Sequence, residues 1–221
     1  SILDREATSG GFILQEALST FETELAIFTG ANYSVGVGNA TDGMEIFLEA
    51  IGLKMGDEII ISSHTMLATA SAIKVAGGVP VPVDIGEDNL ISIESIEEAI
   101  TKNTVGIMPT QLNGRIADMK EIKKIANKHN LKIFEDAAQA IGSTYFDNAA
   151  GSFGVGGCIS FYPAKILGCF GDGGAVVTNN KKIYEKISLL RDHGRRNLNV
   201  ECWGFNSRLD NFQAAILNFL L

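Results

Sequence analysis

Residues 158–180 read CISFYPAKILGCFGDGGAVVTNN: two apolar runs, CISF and GAVVT, separated by a glycine-rich segment that carries Lys165. No acidic residue stands beside this lysine. An ammonium group in apolar surroundings loses hydration that nothing local replaces, so it either snorkels to water or gives up its proton. A lysine without its proton is a nucleophile. The flanks SFYPA and ILGCFGDGG offer little apolar-to-water gradient to climb, which makes Lys165 a candidate nucleophile, with a snorkelling surface lysine as the alternative.

The two flanking runs read as strands, and the same grammar continues outward in both directions. Upstream, YSVGV, DEIIIS, VPVPVD, TVGIMP and LKIFE read as further strands. Between them, NATDGMEIFLEAIGL spaces Met44, Phe47, Leu48 and Ile51 on one helical face behind capping residues, and MLATASAIKVAGG and DMKEIKKIANKHN also read as helices. SIEEAIT reads as a helix opened by a capping box from Ser95 to Glu98. FILQEALSTFETELAIFTG is an amphipathic helix by the spacing of Phe12, Leu14, Leu18, Phe21, Leu25 and Phe28, with Gly30 to end it. Downstream comes the helix KKIYEKISLLRDHG, then NSRLDNFQAAILNFLL as the start of another. Strands alternating with helices predict a mostly parallel sheet covered on both faces, an α/β fold in one unit over residues 1–221.

The 221 residues are 46% hydrophobic and 20% charged, enough for one sizeable core. A net charge of -8 without a basic patch disfavours nucleic acid and anionic membranes, and favours small-molecule ligands. No apolar run approaches the length of a membrane span, and SILDREATSG lacks the regions of a signal peptide, so a cytoplasmic location is expected. Cys158, Cys169 and Cys202 form no C-x-x-C pair and read as reduced bystanders, with no metal site indicated. Ser1 at the front and an apolar helix face stopping at Leu221 read as a fragment that lacks a few leading residues and a set of elements behind.

In open α/β sheets ligands gather beyond the carboxyl ends of the strands. In VGVGNATDG a strand gives way to a helix whose first turn holds Ala40 and Thr41; its free N–H groups suit a phosphate, and an ordinary cap by Asn39 or Thr41 is the alternative. The glycine spacing is wrong for a dinucleotide fingerprint. In LKIFEDAAQAIGS, Glu135 and Asp136 end a buried strand, with Gln139 within a turn. A carboxylate there needs a partner, which a protonated pyridine nitrogen or an arginine would provide. Glu135 should point to the opposite face. Ser160 precedes Lys165 by a few residues. A phosphate cradle, a carboxylate and an unpaired lysine are together what pyridoxal 5'-phosphate needs.

The runs FEDAAQAIGS, GSFGVGGCISFYPAKILGCFGDGGAVVTNN, LLRDHG and GFNSRLDNFQAAIL closely resemble the DegT/DnrJ/EryC1/StrS family of sugar aminotransferases, and the likeness covers nearly the whole chain. The resemblance implies an aspartate-aminotransferase-like large domain (fold type I), followed in the family by a smaller C-terminal domain. It implies a pyridoxal-phosphate-dependent homodimer with shared active sites that moves an amino group, usually from glutamate, to a keto carbon of a nucleotide-linked sugar, for surface polysaccharides or secondary metabolites. Carried over by position, Lys165 is the Schiff-base and proton-transfer residue, Asp136 pairs with the pyridine nitrogen and Gln139 contacts the phenolic oxygen. Ala40, Thr41 and Ser160 hold the phosphate, and Asn206 in GFNSR resembles the residue that reaches the other subunit's phosphate. Met66 stands where the family usually stacks an aromatic ring, and a thioether can cover a ring face. QLNG, with Gln111 and Asn113, replaces a commoner H-L-Y-G segment and is expected to bear on sugar or cofactor contacts. A regulatory or degenerate cofactor-binding protein of the same fold is the competing reading.

Overall fold

Short apolar runs bounded by glycines and capped helices alternate along most of the chain, in a computed structural model that describes residues 2–221. Helices α1 (Ile2–Ser9) and α2 (Glu16–Thr29) lead to β1 (Tyr33–Val37), α3 (Ala40–Ala50), β2 (Glu58–Ser62), α4 (Leu67–Val75), β3 (Val79–Val83), α5 (Ile93–Glu98) and β4 (Thr104–Met108). A single 3-10 turn at Leu112–Gly114 precedes α6 (Met119–His129) and β5 (Lys132–Asp136). A two-residue ribbon, β6 (Thr144–Tyr145) with β7 (Asn148–Ala149), comes before β8 (Gly156–Ser160) and β9 (Gly174–Thr178). Helix α7 (Lys181–Leu190), a second ribbon of β10 (Arg195–Arg196) and β11 (Asn199–Val200), and α8 (Asn211–Leu220) complete the order.

Seven strands form one sheet in the order β1-β9-β8-β5-β4-β2-β3. β9 runs antiparallel to both neighbours, and the other pairings are parallel. Pro80 and Pro82 fall in β3, where the edge position tolerates their missing N–H groups.

Alternation along each strand sorts side chains to two faces. Val35, Val37, Met108, Phe134, Cys158 and Val176 join one cluster with residues of α3, α4 and α7. Ala175, Val177 and Ile159 join α2 and α8 on the opposite face, and Ile60, Ile107 and Ile133 join α5 and α6. Helices therefore cover both faces, as the alternation predicts.

Two helix starts differ from the sequence reading. α5 begins at Ile93, because the Ser92 hydroxyl accepts the Ser95 N–H at 3.2 Å and caps it three residues before Ser95. α2 begins at Glu16, so Phe12 and Leu14 precede it despite their helical spacing; Leu14 has φ 53°, which breaks the helix on that side. Gly30 ends α2 in the left-handed region as expected, at φ 66°.

Candidate active site

The carboxyl ends of β1, β5 and β8 converge beneath one cavity of about 450 Å³. Ala40, Thr41, Met66, Asp136, Gln139, Ser160 and Lys165 all line it, together with Asn39, Tyr162 and Asp172. Seven of the eight residues assigned to the cofactor from the sequence thus come from four separate segments to one place.

The register explains the convergence. Val37, Gly174 and Ser160 lie in one row across β1, β9 and β8. Beyond Val37 the chain folds back over Gly174, where an added Cβ would lie 2.6 Å from the Ala40 nitrogen and 2.6 Å from the Asn39 carbonyl carbon. Glycine there allows the first turn of α3 to settle on the sheet edge beside Ser160. Asn39 caps α3, its side chain accepting the Asp42 N–H at 2.9 Å, and Gly43 is the first residue bonded back to the Asn39 carbonyl. The N–H groups of Ala40 and Thr41 have no acceptor among the described residues, as expected for the first turn of a helix. The capping alternative and the free-donor reading are therefore both true, of different groups. The Ser160 oxygen accepts the Tyr162 N–H at 3.3 Å, which leaves its own proton to donate.

Beneath the cradle, the Cys158 thiol donates to the Ala40 carbonyl at 3.1 Å, and burial pushes this thiol well above the usual range. All three cysteines are free, so Cys158 packs as a protonated small group. Ser207 accepts the Gly38 N–H at 2.9 Å and donates to Asp42 at 2.7 Å, tying the GFNSR segment to the start of α3.

Asp136 ends β5, is 3% exposed, and accepts from the Thr69 hydroxyl at 2.6 Å on one oxygen and the Ala138 N–H at 3.2 Å on the other. Burial raises its carboxyl above the usual range against these two bonds and the nearby charge of Lys165. Lys165 has no carboxylate within 4.0 Å of its ammonium among the described residues, so the question raised by its sequence surroundings persists in three dimensions. The Gln139 carbonyl oxygen accepts the Asn113 N–H at 3.3 Å, which leaves its NH2 as the donor. Met66 stands exposed at the rim, its sulfur accepting the Ala68 N–H at 3.0 Å at the start of α4.

Three residues differ from expectation or lie apart. Gln111 reaches no ligand space: it is fully buried, donates to Glu135 at 2.7 Å and accepts the Ala117 N–H at 2.8 Å. Its amide satisfies the Glu135 carboxylate with its NH2 and the Ala117 N–H with its oxygen, a buried pairing away from the cavity. Asn113 acts through its backbone, in the left-handed region at φ 53°. Asn206 is exposed and outside the cavity, bridged to Asp192. Glu135 faces away from Asp136, as alternation requires, and accepts from Gln111, Gly151 and Phe153. Missed in the sequence were Thr65, Thr69 and Thr110, which meet behind Asp136. A threonine within the apolar helix run LATASAIKV was the available signal.

Among the described residues no acidic, histidine or cysteine cluster could hold a metal ion, and no helix is long and apolar enough to cross a membrane. The sequence profile of the DegT/DnrJ/EryC1/StrS aminotransferase family matches residues 3–221. A Streptomyces venezuelae protein named dTDP-3-amino-3,4,6-trideoxy-alpha-D-glucose transaminase is 41% identical over 219 residues, 98% of this chain and 58% of that protein. A Geobacillus stearothermophilus protein named pleiotropic regulatory protein is also 41% identical over 219 residues, covering 98% and 59%. The crystal structure of S. venezuelae DesV in complex with a ketimine intermediate superposes with a TM-score of 0.96 at 40% identity, over 99% of this chain and 59% of that one. The chain spans less than two thirds of the length of these relatives.

Proposed function

The chain belongs to the DegT/DnrJ/EryC1/StrS aminotransferase family, and we propose that its cavity binds pyridoxal 5'-phosphate and that the whole protein transfers an amino group, from a donor such as glutamate, to a keto carbon of a nucleotide-linked sugar. The observation that carries this reading is one cavity lined by a buried carboxylate, unpaired first-turn N–H groups and a lysine without an acidic partner.

The residues present fit this cofactor. Asp136 is a buried acceptor with a raised carboxyl, the environment in which a cationic N–H of the ring is most useful as a partner. The Ala40 and Thr41 N–H groups and the Ser160 hydroxyl are donors for the phosphate, and the Gln139 NH2 is a donor for the phenolic oxygen. Met66 offers a polarisable thioether at the rim to cover a ring face.

When bound, the cofactor supplies an electron sink for the charge left when a proton departs from the donor's α-carbon. Lys165 would hold it at rest through its amine. The same amine, when free, would be placed to take the donor's α-proton and to return one to the sugar carbon. Asp136 would keep the ring nitrogen protonated, and the Gln139 amide would fix the ring's orientation. Asn206, exposed outside the cavity, serves the phosphate in a second subunit's site within a cytoplasmic homodimer. Retention of both Lys165 and Asp136 favours catalysis over a purely cofactor-binding regulatory role.

The test is to incubate the full-length protein with cofactor, glutamate and a panel of nucleotide-linked keto sugars. Formation of 2-oxoglutarate with an aminated sugar of matching mass supports the reading, and absence of transfer across the panel contradicts it.

A further inference from the structure

Behind Asp136 three threonine hydroxyls form a continuous line. Thr110 lies 2.8 Å from Thr65, Thr65 lies 2.7 Å from Thr69, and Thr69 lies 2.6 Å from the Asp136 Oδ2, all oxygen to oxygen. These are full-strength O–H···O distances. Thr69 and Thr110 are buried, and the line joins β4's extension, the β2–α4 connection and α4 to the end of β5.

Each hydroxyl has a single proton, and that fixes the direction. With Asp136 ionised, Thr69 must donate to it, so Thr65 must donate to Thr69 and Thr110 to Thr65. Any other arrangement leaves two oxygens at 2.7–2.8 Å with no proton between them. With the proton instead on Oδ2, every bond reverses. The Thr110 proton then points out of the chain into a buried position where no further acceptor for it lies among the described residues. An orphaned buried donor is costly, and a proton on Oδ1 instead leaves the line's direction unchanged but makes Oδ2 a neutral, weaker acceptor for Thr69, so in either case the line favours the anion.

We propose that Thr110, Thr65 and Thr69 are positioning residues, a one-way hydroxyl chain that holds Asp136 ionised and fixed at its buried place at the end of β5. The inference deepens the reading above, since Asp136 is the carboxylate assigned there to the ring nitrogen. The other titratable groups acting on or beside Asp136 are Lys165 from the β8–β9 segment and Cys158, its register partner on β8. Lys165 favours the anion, burial opposes it, and Cys158 stays protonated.

The test uses the full-length chain in its cofactor-free form, labelled with 13C at aspartate carboxyls, with the Asp136 signal identified by its loss in Asp136→Asn. This measures the carboxyl directly, without cofactor or turnover, so it stands or falls apart from the functional reading. Thr69→Val should raise the Asp136 titration by about one to two units, the size of a charge-assisted hydrogen bond. Thr110→Val, two hydroxyls away from the carboxylate, should raise it by several tenths of a unit or about that order, and Thr110→Ser should restore the parental value. Thermal melts identify any variant that is not folded, and Thr65→Val, which cuts the line in the middle, replaces it. A shift in Thr69→Val with none in both Thr110→Val and Thr65→Val overturns the chain and leaves a single hydrogen bond. A shift that Thr110→Ser fails to reverse overturns it as well.

Discussion

Glu135 offers a quantitative test of how this fold treats a buried charge. The side chain has no exposed surface, and three donors surround it: Phe153 N–H at 2.6 Å on Oε1, with Gly151 N–H at 3.0 Å and the Gln111 amide at 2.7 Å on Oε2. Burial nevertheless pushes its carboxyl up to about 7 from the usual 4.5. Because this group holds its proton more tightly folded than unfolded, its burial costs nothing below 4.5. The cost grows as pH rises and is complete above about 7. At 1.36 kcal/mol per unit the whole difference is about 3 kcal/mol, most of which falls between pH 5 and 8. Glu135→Gln removes the titration while keeping the size. Urea unfolding of parent and variant at pH 5, 6, 7 and 8 should show the parent losing about 2–3 kcal/mol relative to the variant across that range, all other titrations being common to both. The variant also sets an NH2 against at least one donor, a pH-independent loss of about 1–3 kcal/mol. Since Glu135 does not line the cavity, turnover per folded molecule should stay close to parental. A stability difference constant to within about 0.5 kcal/mol from pH 5 to pH 8 refutes the reasoning, because it would mean the three donors fully offset the desolvation.

Asp136→Asn keeps the size and a hydrogen bond but removes the charge that retains the ring proton; cofactor affinity should stay within about tenfold, while proton removal, followed as donor α-hydrogen exchange, slows about a hundredfold or more. Gly174→Ala places a Cβ 2.6 Å from the Ala40 nitrogen, so the first turn of α3 must shift; cofactor affinity by equilibrium titration should weaken at least about tenfold, with about 1–3 kcal/mol of stability lost. Mixing inactive Lys165→Ala and Asn206→Ala full-length proteins should restore part of the activity if sites are shared between subunits, and no recovery speaks against a role for Asn206 across a dimer.

Much of the site was legible because its residues stand at strand ends. An apolar run tells where a strand stops, and the polar residue after it lies at the ligand edge of an α/β sheet; Asp136, Ser160 and Thr41 were found in that way. Lys165 was legible from the lack of any local partner, a lack the tertiary structure preserves. Gln111 was misread because its partner Glu135 is 24 residues away and on the far face of the sheet, a pairing no local pattern displays. The threonine line was invisible for the same reason, since positions 65, 69, 110 and 136 meet only after β5 and β4 are laid side by side. Phe12 and Leu14 had helical spacing, but spacing does not encode the left-handed backbone at Leu14 that places the helix start after them. The sheet itself followed from alternation, because a strand needs only its run of apolar residues and a helix only its face and caps.

The central claim is that Lys165 is the amine that holds the cofactor. Full-length protein loaded with pyridoxal 5'-phosphate, reduced with borohydride, digested and mapped by mass spectrometry should lose its visible band and carry the reduced adduct on Lys165. An adduct on another lysine, or none, contradicts the account.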